Sequence, residues 1–269
     1  MKQPFAKKTL GQNFLVDNNY IEKIVSALSL TKEDTVIEIG PGRGALTEEL
    51  IEQAGRVIAI ELDKDLITSL QENFGHNENF HLVNEDVLQV NFTQLFADSP
   101  FTVHHSQLVA NLPYYISTAI LQRLIEQREC FSTLVLMLQR EVVDRITAEP
   151  GNSERGFLTV LTEAYSSVEK LFDVPPNAFR PAPKVWSSVV RLVPKSKEET
   201  GIADEKSFRE LVSAGFAFKR KTILNNFKNA QVKLKEKIGD AQKFLADSEI
   251  DPQRRAETLT CAEWKRLNF

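Results

Sequence analysis

Cysteine, methionine and tryptophan are nearly missing from these 269 residues, at two apiece. The cysteines, Cys130 and Cys261, have no neighbouring Cys or His at a spacing that suits zinc, so a reduced, cytoplasmic protein without a structural metal is expected. No apolar run approaches the roughly 20 residues that a membrane helix needs. The longest, around Leu134–Leu138, has the length of a buried strand. The first residues, Met1-Lys2-Gln3-Pro4-Phe5, lack the apolar stretch of a secretory signal. There is no internal repeat and no low-complexity tract.

What is present is ordinary globular composition, 42% hydrophobic and 26% charged, with an uneven spread of charge. Arg180–Phe269 holds 19 Lys and Arg against 12 Asp and Glu, whereas the preceding residues hold 14 against 25. An acidic body with a basic final third points to a polyanionic partner for that third.

Short apolar runs at Thr35–Ile39, Val57–Ile60, Phe80–Val83, Leu108–Ala110 and Thr133–Leu138 read as strands. Between them, Ala45–Gln53, Lys64–Asn73 and Thr118–Gln127 carry helical spacing. Strands that are apolar throughout and alternate with helices predict a parallel sheet covered on both faces. Tyr165–Phe172 and Trp186–Val193 read as two further strands, separated by the proline-rich loop Val174–Lys184 and suited to an antiparallel edge. Lys, Glu, Ser, Thr and Gly then dominate Pro194–Asp204, the composition of a linker. Beyond it Ser207–Phe218, Thr222–Phe227 and Cys261–Leu267 read as helices. The expected division is an α/β domain over residues 1–195 and a small helical, basic domain over residues 196–269.

The first strand runs into Glu38-Ile39-Gly40-Pro41-Gly42-Arg43-Gly44, a turn whose glycines let the backbone pass close beneath a ligand. The same turn fits a dinucleotide pattern, with Gly40, Gly42 and Ala45 in register and Glu61 downstream, so a nicotinamide enzyme competes at this point. Pro41 removes an N–H that a pyrophosphate would use, and Glu38 places an acid in the strand end. S-adenosylmethionine, which has no phosphate, tolerates both. Successive strands end at Gly40, Glu61, Glu85-Asp86 and Asn111, side by side in an open parallel sheet. Glu61 offers acceptors to a ribose diol, and Asp86 an acceptor to an adenine amine. His104-His105 precede the fourth strand and leave the nicotinamide reading without a proton-transfer histidine at a strand end.

After the fourth strand comes Asn111-Leu112-Pro113-Tyr114. An exocyclic adenine amine is a poor nucleophile, because its lone pair is delocalised into the ring. Two acceptors on its N–H bonds favour the pyramidal, positively charged nitrogen of methyl transfer. The Asn111 side-chain carbonyl and the Leu112 backbone carbonyl, held by Pro113, supply them, and Tyr114 stacks on the base.

Together with Leu10-Gly11-Gln12-Asn13-Phe14-Leu15, Phe179-x-Pro181-x-Pro183-Lys184-Val185 and Phe218-Lys219-Arg220-Lys221-Thr222, these segments resemble the ribosomal RNA adenine dimethyltransferase family, in order along nearly the whole chain. The resemblance implies a Rossmann-like class I methyltransferase with a seven-stranded, mostly parallel sheet and a small all-helical C-terminal domain. It implies S-adenosyl-L-methionine as methyl donor and no metal. The substrate it implies is two adjacent adenosines near the 3′ end of 16S ribosomal RNA, in the small subunit or its precursor, and a monomeric enzyme is expected. Cofactor contacts map onto Gln12, Asn13, Leu15, Glu38, Gly40, Gly42, Glu61, Asp86 and Asn111. Phe179 maps onto a second aromatic face for the target base, beside the catalytic set Asn111, Leu112 and Tyr114. Arg140, Lys184, Lys219, Arg220, Lys221, Arg254 and Arg255 are the expected RNA contacts, by their charge and clustering. Related macrolide-resistance methylases of large-subunit RNA share the Asn-x-Pro-Tyr motif. Leu112 and Arg254-Arg255-Ala256-Glu257 favour the small-subunit group. One departure is Gly156-Phe157-Leu158-Thr159-Val160, where the family pattern has Arg after the glycine.

Overall fold

A computed structural model of the chain describes residues 6–7, 11–99 and 106–267. Leu10 and His104-His105, singled out above, lie outside the described residues. The chain divides into two compact units, Met1–Val143 with Val168–Pro194, and Asp144–Ser167 with Lys195–Phe269.

The strands are β1 (Phe14–Leu15), β2 (Thr35–Ile39), β3 (Arg56–Glu61), β4 (Phe80–Asn84), β5 (Ser106–Asn111), β6 (Phe131–Gln139), β7 (Ser166–Val174), β8 (Phe179–Arg180) and β9 (Ser187–Pro194). Seven of them form one sheet in the order β4-β3-β2-β5-β6-β9-β7. The first five run parallel, and β9 joins β6 antiparallel, with Leu134 opposite Leu192 and Gln139 opposite Ser187. All five residues of β2 are buried, as a central strand covered on both faces requires. Chain order reverses between β2 and β5, so their carboxyl ends border the crevice where open α/β sheets bind ligands.

Two features of this unit were not foreseen. The helix Asn18–Ser26 is capped by Asp17 and buries Ile21, Ile24 and Val25. The residue pair of β1 binds β8 antiparallel, Leu15 opposite Phe179, in a second two-stranded sheet. A two-residue strand has no periodicity to read.

The second unit is helical, and several of its helices start at side-chain caps, among them Asp204 for Glu205–Gly215, Thr222 for Ile223–Lys228, Asp240 for Ala241–Asp247 and Thr260 for Cys261–Arg266. Its core centres on Trp264, fully buried and stacked on Phe216 with ring centroids 5.5 Å apart. Gly215 has no side chain because a Cβ there would sit 2.3 Å from the Trp264 ring.

The division at residue 195 left segment 144–167 with the sheet, whereas it groups with the helical unit. The cause is local packing. The helix Phe157–Tyr165 sets Tyr165 edge-on to Phe208 at 6.1 Å. Arg155, only 3% exposed, ties Ala148 O, Leu259 O and the Glu163 carboxylate together. The strand read from Tyr165 to Phe172 accordingly begins at Ser166.

Candidate active site

A cleft opens at the carboxyl ends of β2, β3, β4 and β5, walled also by Gly11–Phe14. Its floor is the turn after β2. Gly40, Gly42 and Gly44 all have positive φ (67°, 60° and 87°), a backbone that other residues adopt only under strain. At Gly42 space is decisive as well, since a Cβ would lie 2.9 Å from the Phe14 ring. Phe14 in turn carries the Arg43 guanidinium 4.5 Å from its ring centroid.

Glu61 closes β3 and is 7% exposed. Its Oε1 accepts from the N–H of Leu62 and of Asp63, both at 2.9 Å, and its Oε2 accepts from Gly42 N–H at 3.3 Å. Burial pushes its pKa up, and these N–H donors oppose that shift. The free lone pairs are therefore concentrated on Oε2, which narrows the sequence reading of an open bidentate carboxylate. Asp86, half-buried after β4, accepts Leu88 N–H on Oδ1 at 3.0 Å, a bond that does not involve Oδ2.

The amide of Asn111 is oriented by its surroundings. Its Nδ2 donates to Asn13 O at 3.1 Å, a carbonyl that can only accept, so Oδ1 is turned the other way as an acceptor. Leu112 is 1% exposed, and its N–H donates to Met137 O at 3.2 Å, which fixes the backbone of the motif. The Tyr114 hydroxyl shares a 2.6 Å hydrogen bond with Ser187 Oγ on β9. Burial raises the Tyr114 pKa above its ordinary value of 10.0, so the phenol is neutral.

The structure brings Gln12, Asn13, Gly40, Gly42, Glu61, Asp86, Asn111, Leu112 and Tyr114 to one cleft. Leu15 and Glu38 are not on its wall. Leu15 is 4% exposed in the core, and Glu38 lies under the turn, 1% exposed, accepting from Thr47 Oγ1 at 2.6 Å. Gln12 is engaged in structure, its Nε2 donating to Asp63 at 2.9 Å. Phe179, expected as a second aromatic face, is not on the wall of this cleft either. Its ring is 0% exposed and packed in the core, because β8 pairs with β1 and points it inward.

Asp63, missed in the sequence, is 4% exposed and holds both Lys7 Nζ at 2.6 Å and Gln12. The signal was there in Asp63-Lys64-Asp65, since Asp63 caps the following helix. Of the expected RNA contacts, Lys184, Arg140, Lys219, Arg220, Lys221 and Arg255 are exposed. Arg254 is half-buried, and its guanidinium bonds Glu263 and Thr258, bonds that a phosphate would have to displace. Among the described residues no His, Cys, Asp and Glu group is arranged to hold a metal, and no helix is long and apolar enough to cross a membrane.

Three comparisons bear on this site. A family model described as ribosomal RNA adenine dimethylase matches residues 5–267. Curated relatives named ribosomal RNA small subunit methyltransferase A include one from Clostridium botulinum (strain Okra / Type B1), 42% identical over 97% of this chain and 92% of its own length. Another, from Geobacillus thermodenitrificans, is 40% identical over 97% of this chain and 89% of its own. Among solved structures, a dimethyladenosine transferase from Plasmodium falciparum superposes with a TM-score of 0.77 at 25% identity, covering 94% of this chain and 95% of that one. The 23S rRNA methyltransferase ErmE superposes at 0.69, also at 25% identity, covering 95% and 98%.

Proposed function

This chain belongs to the ribosomal RNA adenine dimethylase family, and we propose that it places two methyl groups on the N6 amine of each of two adjacent adenosines near the 3′ end of 16S ribosomal RNA. The observation that carries this reading is the orientation of Asn111, whose Oδ1 faces away from Asn13 at the mouth of the cleft.

The residues present fit S-adenosylmethionine. Gly42 leaves room beneath Phe14 that a Cβ would fill, Glu61 Oε2 suits a ribose hydroxyl and Asp86 Oδ2 an adenine amine. When bound, the cofactor supplies an electrophilic methyl group. The protein supplies position and polarity. Asn111 Oδ1 and the Leu112 carbonyl accept the two N–H bonds of the target amine and stabilise the charge that develops on nitrogen. Tyr114 stacks on the base, and its bond to Ser187 sets the angle of the ring. No strong base is needed, because the methylated ammonium loses its proton readily to water. Gln12, Asn13 and Gly40 complete the cofactor wall, and Glu38 supports it from beneath.

On the RNA side, Lys184 and Arg140 in the first unit and Lys219, Arg220, Lys221 and Arg255 in the second contact phosphate. With an acidic body, affinity for naked RNA is low, and the substrate is an assembling small subunit in the cytoplasm, which presents its RNA in a fixed shape. Identities of 40–42% to small-subunit enzymes favour this substrate over the large-subunit RNA named for the 25% identical neighbour.

The test is to incubate the full chain with labelled cofactor and immature small subunits, digest the RNA and separate its nucleosides. Dimethyladenosine is the expected product; its absence overturns the reading. Asn111→Ala should lose ~100-fold or more in turnover, the order seen when one charge-stabilising group is removed. The same variant should still bind the particles.

A further inference from the structure

Only two tryptophans occur, and their placements are opposite. Trp264 is fully buried, whereas Trp186 is 44% exposed at the start of β9. Trp186 immediately precedes Ser187, the partner of the Tyr114 hydroxyl, so its backbone is one residue from a group that touches the base-stacking tyrosine. Two contacts hold it there. Arg140 N–H donates to Trp186 O at 3.0 Å, and the Arg140 guanidinium lies 5.8 Å from the ring centroid. One side of the indole is thus taken by a cation, and the remainder is open to solvent.

We propose that Trp186, steadied by Arg140, is a stacking platform for the base next to the target adenine in the RNA strand. The inference rests on the reading that the chain methylates an RNA adenine. A base drawn out of a folded RNA loses its stacking neighbours, and the base beside it is left with one bare face. An indole matches that face without reading sequence, since every base offers a π surface. Arg140 adds a positive charge beside the phosphate that links the two nucleotides, and exposed Lys184 lies two residues before Trp186. A solvated surface would be served as well by a short polar residue. Holding a large apolar ring half in water, with its orientation fixed by a neighbouring guanidinium, matches what nucleobase stacking demands.

Trp186→Ala and Trp186→Phe in the full chain test this. Stacking on an aromatic residue is worth about tenfold in binding per base. Trp186→Ala should therefore raise KM for immature small subunits about tenfold, leave S-adenosylmethionine affinity unmoved, and be largely rescued by Trp186→Phe. Fluorescence gives a direct readout, because buried Trp264 is a constant background. At low salt, which offsets the low affinity for naked RNA, an excess of a short single-stranded oligoribonucleotide containing two adjacent adenosines should quench the emission of the natural chain but not that of Trp186→Phe. An unchanged KM in Trp186→Ala, or a quench that survives in Trp186→Phe, overturns the platform. Particles left unmethylated by the natural chain would instead overturn the proposed function, and the quench would still judge the platform.

Discussion

A carboxyl group cut off from water, with one hydroxyl as partner, is poorly placed to carry charge, and Glu38 is in that position beneath the glycine turn. Burial is the main cause that pushes its pKa from 4.5 to about 8; Thr47 opposes the shift and the charge of Glu61 adds to it. Glu38 is therefore protonated at neutral pH and acts as a structural support. In the unfolded chain it ionises near 4.5, so between 4.5 and about 8 the folded state binds the extra proton. Stability from this group is complete below 4.5 and is lost as pH rises to about 8. Glu38→Gln, which has the shape of the neutral acid, should flatten that decline. Urea unfolding of both proteins between pH 5 and pH 8.5 measures it, and the variant should gain on the natural chain steadily toward the alkaline end. A constant difference across the range would show that Glu38 is ionised in the fold.

At the scale of an element, the turn between β2 and the helix Ala45–Gln53 is where backbone and ligand compete for space. Gly42→Ala combines a positive φ with a Cβ 2.9 Å from Phe14. The left-handed backbone alone costs about 1 kcal/mol. Displacing Phe14 also disturbs the cleft wall, so calorimetry should find weakened S-adenosylmethionine binding as well. Gly151→Ala is the control: its φ is +92° but nothing lies within 4 Å of the added Cβ, and it is not on the cleft wall. It should lose about the same stability with cofactor affinity intact. Equal affinities in the two variants would detach Phe14 from the cofactor site.

Across the whole molecule the relevant quantity is the separation of charge, with the excess of Lys and Arg confined to the final third. Not every cation there is available. Arg254 holds the Glu263 carboxylate, whose pKa is lowered to about 2, and so serves the fold of the helical unit. Lys219, Arg220 and Lys221 are exposed on the turn after Glu205–Gly215. Replacing these three with alanine should reduce the slope of log affinity against log salt by about 2 to 3, since each phosphate contact contributes about 0.7 to 0.9. Arg254→Ala should lower the melting temperature and leave that slope nearly unchanged. A slope insensitive to the triple replacement would remove the cluster from the RNA interface.

The parallel strands, their order along the chain and the row of polar residues at their ends were legible in the sequence, because a buried strand must be apolar throughout and a ligand-facing end must not be. Asn111-Leu112-Pro113-Tyr114 was legible for the same reason, as a polar, rigid motif placed directly after such a strand. The fate of single side chains was not. Whether Phe179 faces a base or the core depends on the two-residue pairing of β8 with β1, and whether Arg254 is free depends on Glu263. The grouping of segment 144–167 with the C-terminal helices likewise came from Arg155 and Tyr165 finding partners far along the chain. Sequence pattern determined which segments fold and where chemistry could sit, since periodicity is a local property. Only the tertiary structure decided which side chains reach the cleft, since that choice is made by contacts between residues distant in sequence.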